Sequence, residues 1–215
     1  MPVDLILFVE VMFDRNISGE RPEHMEFVKR SVAIFESWGY PVEIIHSDRT
    51  YMDVFMHVRE WGANLGMRTG FPFPGFCSVN RDCKLRAMRK YWSENKGNDI
   101  VQYVGIGADE PARLKRLAPN AVSLLAQYGY TQQDAYQLCC DHDLLSPCYQ
   151  YANRGGCWFC PNAGRTEMLT LWRDHEELWD RLLALEKEPN ILNNVWNRRD
   201  DISISQLEEE FSRCG

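Results

Sequence analysis

The residues most able to carry chemistry in this sequence are its cysteines, of which there are eight among 215 residues. Cys77 and Cys83 form one group, five more fall between residues 139 and 160, and Cys214 lies one residue before the end. Structural disulfides are rare in a reducing cytosol. If the protein is cytoplasmic, its cysteines are therefore expected to act as metal ligands or reactive thiols.

Cys157 and Cys160 form a Cys-x-x-Cys pair within the string CWFCP. The turn between them brings both sulfur atoms to the same side, where two thiolates can bind one tetrahedral metal ion. Cys139, Cys140 and Cys148 are close enough in sequence to supply further ligands, although the neighbouring Cys139 and Cys140 are not expected both to bind one ion. The candidate centres are zinc and an iron–sulfur cluster. The alternative is that Cys139 and Cys148 are small buried hydrophobic side chains, as free cysteines often are.

A group of basic side chains follows a stretch rich in glycine and proline. Lys84 and Arg86 lie on a short helix predicted over residues 83–92, in a chain whose net charge is −7. Such a local basic group can bind phosphate or sulfate. The alternative is a solvated helix face.

A second charged group follows the strand predicted at 100–105. Asp109 and Glu110 precede Arg113 in the string GADEPAR. Ligands of open α/β sheets bind beyond the carboxyl ends of the strands, so this turn is a candidate nucleotide site. The same residues could instead form a salt-bridged helix start, with a proline in its first turn.

The composition excludes several classes of protein. There are 24 Lys and Arg against 31 Asp and Glu, which disfavours unaided binding to nucleic-acid phosphates. Apolar residues make up 45% and charged residues 26%, so whole-chain disorder is excluded. No stretch approaches the ~18 consecutive apolar residues of a membrane span, and the start lacks the pattern of a secretion signal. We therefore expect a cytoplasmic protein without membrane contact.

Strand and helix patterns alternate in the first half of the chain, which predicts a parallel sheet covered by helices. The first strand is nearly all apolar, as suits a strand buried on both faces. The loop predicted at 62–80 is long enough to be functional or mobile. The predicted strands are 3–11, 42–46 and 100–105, and the predicted helices in this half are 25–38, 52–61 and 83–92.

Helices dominate the predicted second half. Thr131, with Asp134 three residues later, is the sequence signature of a capped helix start, and that helix is predicted to end at Cys140. A long amphipathic helix is predicted over 167–187, and a last helix is predicted with Ser205 and Glu208 at its cap.

Several strings together resemble the phosphoadenosine phosphosulfate reductase-like family, which belongs to the adenine nucleotide alpha hydrolase (PP-loop ATPase) superfamily. The segment CSVNRDCK at 77–84 is similar to that family's Cys-containing stretch ahead of a substrate-binding Lys. The other strings are YVGIGADE at 103–110, TQQDAYQLC at 131–139, LLSPCY at 144–149 and RGGCWFCPN at 154–162.

The resemblance implies a Rossmann-like α/β nucleotide-binding domain, of the adenine nucleotide alpha hydrolase-like type, over residues 1–130. Residues 131–215 would form a Cys-rich, metal-binding helical region. The implied ligand is an adenine nucleotide, either ATP or phosphoadenosine phosphosulfate. The implied activity is sulfonucleotide reduction with a thiol redox partner, or a related sulfur or nucleotidyl transfer. Sulfur insertion into a nucleic acid is also compatible with the family, although the acidic chain disfavours it.

The resemblance also implies roles for the charged groups and for the last cysteine. In this interpretation Lys84 and Arg86 contact the anionic group of the substrate. The nucleotide pocket is lined by Asp109, Glu110 and Arg113. Similar reductases use a cysteine near the C-terminus as nucleophile, which points to Cys214 as the catalytic thiol. The family's tail has Glu before this cysteine and further residues after the following Gly, whereas here Arg precedes it and the sequence ends at that Gly.

A metal centre is implied as well. Cys157 and Cys160, together with Cys139 and Cys77, would bind a 4Fe-4S cluster or zinc. In the iron–sulfur branch of these reductases one Cys pair lies in mid-chain and a Cys-x-x-Cys pair lies late. Cys77 or Cys83 would stand for the mid-chain pair, although these two are six residues apart rather than adjacent.

One departure from the family affects function. Superfamily members typically open with a strand and a Ser-Gly-Gly-x-Asp-Ser type loop that wraps nucleotide phosphates, and this sequence has no such loop. Either the sequence starts after the first strand and phosphate loop, or the chain is a divergent member with reduced or absent catalysis. The second alternative predicts a non-catalytic, metal-stabilised accessory or binding protein.

Overall fold

The computed structural model describes residues 3–73, 77–96, 99–152, 155–197 and 201–214, with the side chain of Cys214 outside the description. The protein is a mixed α/β protein with short parallel strands. It divides into two compact units, one formed by Met1–Tyr91 with Pro147–Gly215 and the other by Trp92–Ser146. The domain boundary predicted after residue 130 remains a prediction, and the two units divide the chain at other places.

The strands pair in parallel, as the alternating pattern predicts. In the described part of the chain they form three two-stranded sheets, β1 with β2, β3 with β6 and β4 with β5. The strands are β1 (Ile6–Glu10), β2 (Val42–His46), β3 (Arg68–Gly70), β4 (Gln102–Tyr103), β5 (Ala121–Val122) and β6 (Ile191–Asn193).

The helices are short, apart from the first. A π-helical segment, Asn80–Lys84, runs directly into α3, and a 3-10 turn covers Pro147–Gln150. The α-helices are α1 (Pro22–Ser37), α2 (Tyr51–Phe55), α3 (Leu85–Glu94), α4 (Pro111–Leu114), α5 (Leu124–Gln127), α6 (Gln132–Asp141), α7 (Arg165–Asp174), α8 (Glu176–Glu186) and α9 (Ile204–Cys214). No helix in the described residues is long and apolar enough to cross a membrane.

The first unit opens with a β1–α1–β2 arrangement in which Ile6 pairs with Val42 and Glu10 with His46. Of β1 only Val9 is buried, while the other four residues stay partly exposed. The prediction of a strand buried on both faces is therefore wrong for most of β1. The physical reason is that in the described residues β1 has a single neighbouring strand, so its second edge lacks the cover that an inner strand has.

Tertiary contacts shorten or divide several predicted helices. The helix predicted over 167–187 is two helices, α7 and α8, because His175 leaves helical geometry and its ring approaches Glu23 on α1 at 3.1 Å. The helix predicted over 52–61 ends at Phe55. The chain then turns into an antiparallel bridge between Val58 and Arg68.

The cap predicted for the last helix, Ser205, is two residues too late, because the helix begins at Ile204 and Ser203 precedes it. The backbone N–H of Gln206 donates to the Ser203 hydroxyl, and Ser205 acts instead as a donor to Glu186. The strand predicted at 100–105 is reduced to Gln102–Tyr103.

The second unit contains the strands β4 and β5 and the helices α4, α5 and α6. Parallel strands β4 and β5 pair Gln102 with Ala121. The capping box predicted at the start of α6 is confirmed, since the Thr131 hydroxyl accepts the Asp134 N–H at 3.2 Å and the Asp134 carboxylate accepts the Thr131 N–H at 2.8 Å. This cap is local in sequence, which is why the sequence alone predicts it.

The core of the first unit is aromatic, and it includes the two middle residues of the Cys-x-x-Cys turn. Trp158 is fully buried with its ring 4.7 Å from that of Phe13, and the ring of Phe159 lies 4.1 Å from that of Tyr51. The Trp158 backbone N–H also donates to Gly19 at 3.0 Å, and its indole N–H donates to the Ser18 carbonyl at 2.9 Å. These contacts fix the turn that carries Cys157 and Cys160.

A first prediction concerns Gly19, whose close packing holds this turn. A Cβ at Gly19 would lie 2.5 Å from the Val11 carbonyl oxygen and 2.9 Å from the Phe159 ring. We expect Gly19→Ala to lower the free energy of unfolding by roughly 1–3 kcal/mol, the usual cost of overpacking. Urea unfolding followed by circular dichroism measures it. Gly155→Ala is the matched control because nothing lies within 4 Å of its Cβ position. Equal effects of the two substitutions would contradict the prediction.

Candidate functional site

Three of the predicted metal ligands come together in the first unit. Cys157 and Cys160 lie on one turn, closed by a hydrogen bond from the Cys160 N–H to the Cys157 carbonyl at 3.0 Å. Cys77, eighty residues earlier in the chain, lies near enough to act electrostatically on the Cys157 thiol. All three cysteines pack against the aromatic core. We call these three residues the thiol cluster.

Cys77 is positioned at the start of the helical segment that continues through α3. Its Sγ accepts a hydrogen bond from the Asn80 backbone N–H at 3.4 Å, and its carbonyl accepts one from the Arg81 N–H at 3.3 Å. A sulfur that accepts a backbone N–H is better able to carry negative charge, because the donor stabilises a thiolate.

Charges around the thiol cluster shift the pKa of Cys157 in opposite directions. Burial raises the pKa of the Cys157 thiol well above its usual range, and the charges of Glu20 and of the other two thiols raise it further. Lys84 acts in the opposite direction. The pKa of Glu20 is itself raised, first by burial, while Lys84 again opposes the shift. Without a compensating cation, Cys157 is therefore a neutral thiol at physiological pH.

Tyr51 adds an unsatisfied polar atom beside these thiols. Its ring is fully buried, and its hydroxyl has no hydrogen-bond partner among the described residues. Burial raises the pKa of Tyr51, and the charges of Cys77 and Cys157 raise it further. Buried polar groups are nearly always paired in native proteins, so an unpaired hydroxyl at this place is compatible with a ligand bound nearby.

The thiol cluster fits a metal in the kind of its donor atoms, since thiolates suit zinc and iron–sulfur clusters. The spatial arrangement of these residues, however, does not form a metal site. Within the described residues no group of three or more His, Cys, Asp or Glu side chains is arranged to hold a metal ion.

The remaining cysteines occupy different surroundings. Cys83 lies on the π-helical segment, is fully buried, and has a pKa raised to about 12, mainly by burial. Cys148 is buried beside the Tyr151 hydroxyl, which donates to its sulfur at 3.1 Å. This agrees with the alternative that Cys148 is a buried structural side chain. The predicted catalytic residue, Cys214, ends α9, and its side chain lies outside the described residues.

Cys139, the fourth predicted ligand, belongs to the second unit. It lies on α6, where burial and then the neighbouring Cys140 raise the pKa of its thiol. Its assignment as a ligand of the same centre remains a prediction.

The two basic residues predicted to contact an anion have different partners. The Arg86 guanidinium makes a bidentate ion pair with Asp48, with distances of 2.7 and 2.8 Å, and the pKa of Asp48 is lowered to about 2 by this hydrogen bonding. Lys84 is exposed and lies within electrostatic range of Cys157 and Glu20. Of the two, Lys84 is the one whose charge reaches the thiol cluster.

The predicted nucleotide-binding residues of the second unit bind one another and the chain around them. Asp109 accepts the Gln132 backbone N–H at 3.0 Å, at the start of α6. Glu110 accepts the Gly107 N–H at 3.2 Å and pairs with Arg113. Hydrogen bonds from Gln132, first, and from Arg113 lower the pKa of Glu110. This network corresponds to the salt-bridged helix start that the sequence left open, and the nucleotide role remains a prediction.

Sequence reasoning missed Glu20 and Tyr51, which contribute to the environment of the thiol cluster. Both lie far from its cysteines in the sequence, and neither belongs to a motif, so no local pattern could have identified them. Comparison with known proteins found no matching family model, no matching curated protein and no matching solved structure.

A second prediction concerns the reactivity of the thiols toward iodoacetamide. Only the thiolate reacts, and a pKa of about 12 leaves Cys83 with on the order of a thousand-fold less thiolate than a free cysteine at pH 8. We expect the exposed Cys140 to be alkylated first and the buried Cys83 to remain largely unmodified. The partly exposed Cys157 should also react slowly, because the pKa of its thiol is raised.

Peptide mass spectrometry after timed labelling measures the order. Urea-unfolded protein is the control, since there all cysteines should react at similar rates. Fast labelling of Cys83 in the folded protein would show that the thiol is not buried as described.

Proposed function

We propose that this chain is a phosphoadenosine phosphosulfate reductase-like protein that binds an adenine nucleotide, with Cys77, Cys157 and Cys160 among the ligands of a metal centre. The observation that carries the proposal is the convergence of these three cysteines, two on one turn and one eighty residues away. They were assigned to one centre from their residue types and from the family resemblance.

The proposed fold is Rossmann-like, of the adenine nucleotide alpha hydrolase type. The β1–α1–β2 unit supports it, because two parallel strands are joined through a 16-residue helix, which is the building block of such folds. The parallel pairing of β4 with β5 in the second unit gives further support.

The proposed reaction brings an anionic sulfonucleotide next to the cysteines of the thiol cluster. Lys84 is the exposed cation beside Cys157, so it can attract an anionic sulfonucleotide toward the thiol cluster while opposing the rise in the pKa of Cys157. An iron–sulfur cluster would supply electron transfer or sulfur chemistry there, and zinc would supply structural support. The protein's own part is to hold the cluster thiols against a rigid aromatic core and to bring the anion to them.

Sulfonucleotide reduction or a related sulfur or nucleotidyl transfer is the proposed reaction class. In the reductase form, Cys214 is proposed as the nucleophilic thiol, and a thiol redox partner supplies the electrons. Asp109, Glu110 and Arg113 are proposed as nucleotide-binding residues, as the family resemblance implies.

A second candidate is a metal-stabilised accessory protein that binds without catalysis. It is favoured by the local network in which Glu110 is engaged by both Gly107 and Arg113, because carboxylate oxygens already paired to the protein are less available to a nucleotide. This candidate shares the metal centre and differs in lacking turnover.

A third prediction tests the metal centre. Protein purified without oxygen should contain either about four iron and four sulfide per chain or about one zinc and no sulfide. Cys157→Ala should remove most of the metal. Cys140→Ala is the matched control, since Cys140 is exposed and not among the proposed ligands, and it should keep the full content. Absence of any metal from the wild-type protein would end the ligand assignment.

A fourth prediction separates the enzyme from the accessory protein. Calorimetric titration with ATP and with phosphoadenosine phosphosulfate should detect binding, and Arg113→Gln should weaken it if the second unit contributes to the site. Sulfite release from phosphoadenosine phosphosulfate with a dithiol reductant should occur in the wild type and be lost in Cys214→Ser, with Cys140→Ser as the control. Binding without sulfite release would favour the accessory protein, and no binding of either nucleotide would overturn the proposal.

A further inference from the structure

A pocket of about 370 Å³ lies in the first unit and does not include the thiol cluster or Lys84. Its lining includes Arg49, Arg59 and His57 and the aromatic side chains Trp61 and Phe73. The remaining lining residues are Val54, Glu60, Thr69, Pro72, Ser78, Arg81 and Asp82. The volume is in the range of small-ligand sites.

Two arginines of this pocket make no ion pair or side-chain hydrogen bond within the described residues, namely Arg49 and Arg59. Among those residues the Arg59 Nε is buried and has no hydrogen-bond partner. Other arginines of the unit do make ion pairs, such as Arg86 with Asp48 and Arg68 with Glu188. Leaving a guanidinium partly buried and unpaired is costly unless an anion binds it.

The acidic residues of the pocket do not cancel this charge. Asp82 is held by Arg81 in a bidentate ion pair with both distances at 2.7 Å. Arg49 lies near enough to lower the pKa of Asp82 but forms no ion pair with it. Glu60 is exposed. Counting the lining residues, three arginines face two carboxylates, so the pocket has a net positive charge before any contribution from His57.

The backbone that carries Arg59 is fixed, so its position is built into the fold. The Arg59 N–H donates to the Met67 carbonyl and the Arg59 carbonyl accepts the Gly66 N–H, both at 2.9 Å. These two bonds close a loop that presents Trp61, whose side chain is 82% exposed. An aromatic ring held out on a closed loop beside unpaired cations offers a stacking surface next to an anion site.

We propose that this pocket binds a nucleotide, with Arg49 and Arg59 on its phosphate or sulfate group and Trp61 stacked on its base. The inference rests on the proposed function and assigns the anion contact to residues that the sequence reading did not select. Guanidinium groups bind phosphate and sulfate oxygens through charge-assisted hydrogen bonds. Arg86, predicted for this role, is already occupied by Asp48.

The pocket also adjoins the helical segment that carries two cysteines. Its lining residues Ser78 and Asp82 directly follow Cys77 and directly precede Cys83 in the chain. A nucleotide anion held by Arg49 would therefore lie on the segment whose first residue belongs to the thiol cluster. This relation connects the binding pocket to the proposed chemistry within a single unit.

The test is calorimetric titration of the full-length protein with AMP, adenosine and inorganic phosphate. We expect AMP to bind at least tenfold more tightly than adenosine, and inorganic phosphate to compete with it. Arg49→Gln and Arg59→Gln should each weaken AMP binding at least tenfold. Two separate arginine variants keep the test decisive if one of them fails to fold.

The matched control is Arg181→Gln, an exposed arginine on α8 that makes the same change in net charge outside the pocket. It should leave AMP affinity unchanged. Trp61→Ala should weaken AMP but leave the affinity for inorganic phosphate the same, because stacking involves only the base.

The outcomes distinguish this inference from the proposed function. If ATP and phosphoadenosine phosphosulfate bind the two arginine variants as tightly as wild type, the pocket assignment is wrong and the proposed function stands. Binding of inorganic phosphate without AMP would overturn the nucleotide assignment. If AMP and phosphate both fail to bind, the pocket inference fails, whatever the metal analysis gives.

Discussion

The candidate site depends on the burial of Trp158 and Phe159. These two side chains, the middle residues of the Cys-x-x-Cys turn, are inserted into an aromatic core with Phe13 and Tyr51. Burying aromatic side chains of this size contributes about 1.5–3 kcal/mol each by removal of apolar area from water. Because the two middle residues of the turn are buried in the core, the flanking Cys157 and Cys160 are held at its edge. The core thus positions the thiols, and it does so with residues that have no chemical role themselves.

Electrostatic pairing divides the cations of the first unit into two sets. Arg86 and Arg68 are satisfied by Asp48 and Glu188, and such exposed pairs contribute little to stability. Lys84 instead acts on the partly buried Cys157 thiol and Glu20 carboxyl, and Arg49 and Arg59 line a pocket. The chain has more carboxylates than basic side chains. Basic side chains that still form no ion pair with a carboxylate are therefore candidates to bind an anionic ligand.

The secondary structure shows which features are local. The capping box at Thr131 and Asp134 was predictable because both partners lie within one helical turn. The division of the long helix at His175 was not, since its partner Glu23 comes from α1, 152 positions earlier. In the same way, apolar composition indicated β1 correctly as a strand, but its exposure depends on how many strands lie beside it.

Residue types and spacing by themselves determined a mixed α/β protein with parallel strands, and they selected Cys157 and Cys160 as a pair able to share one site. The sequence alone could not identify the other side chains that lie near Cys157 and Cys160, because those depend on contacts between distant segments. Only the tertiary structure brought Cys77, Tyr51 and Glu20 to the pair, and only it distinguished the occupied Arg86 from the unpaired Arg49 and Arg59. The physical reason is that burial and ion pairing are properties of neighbours in space, and neither is encoded in a local sequence pattern.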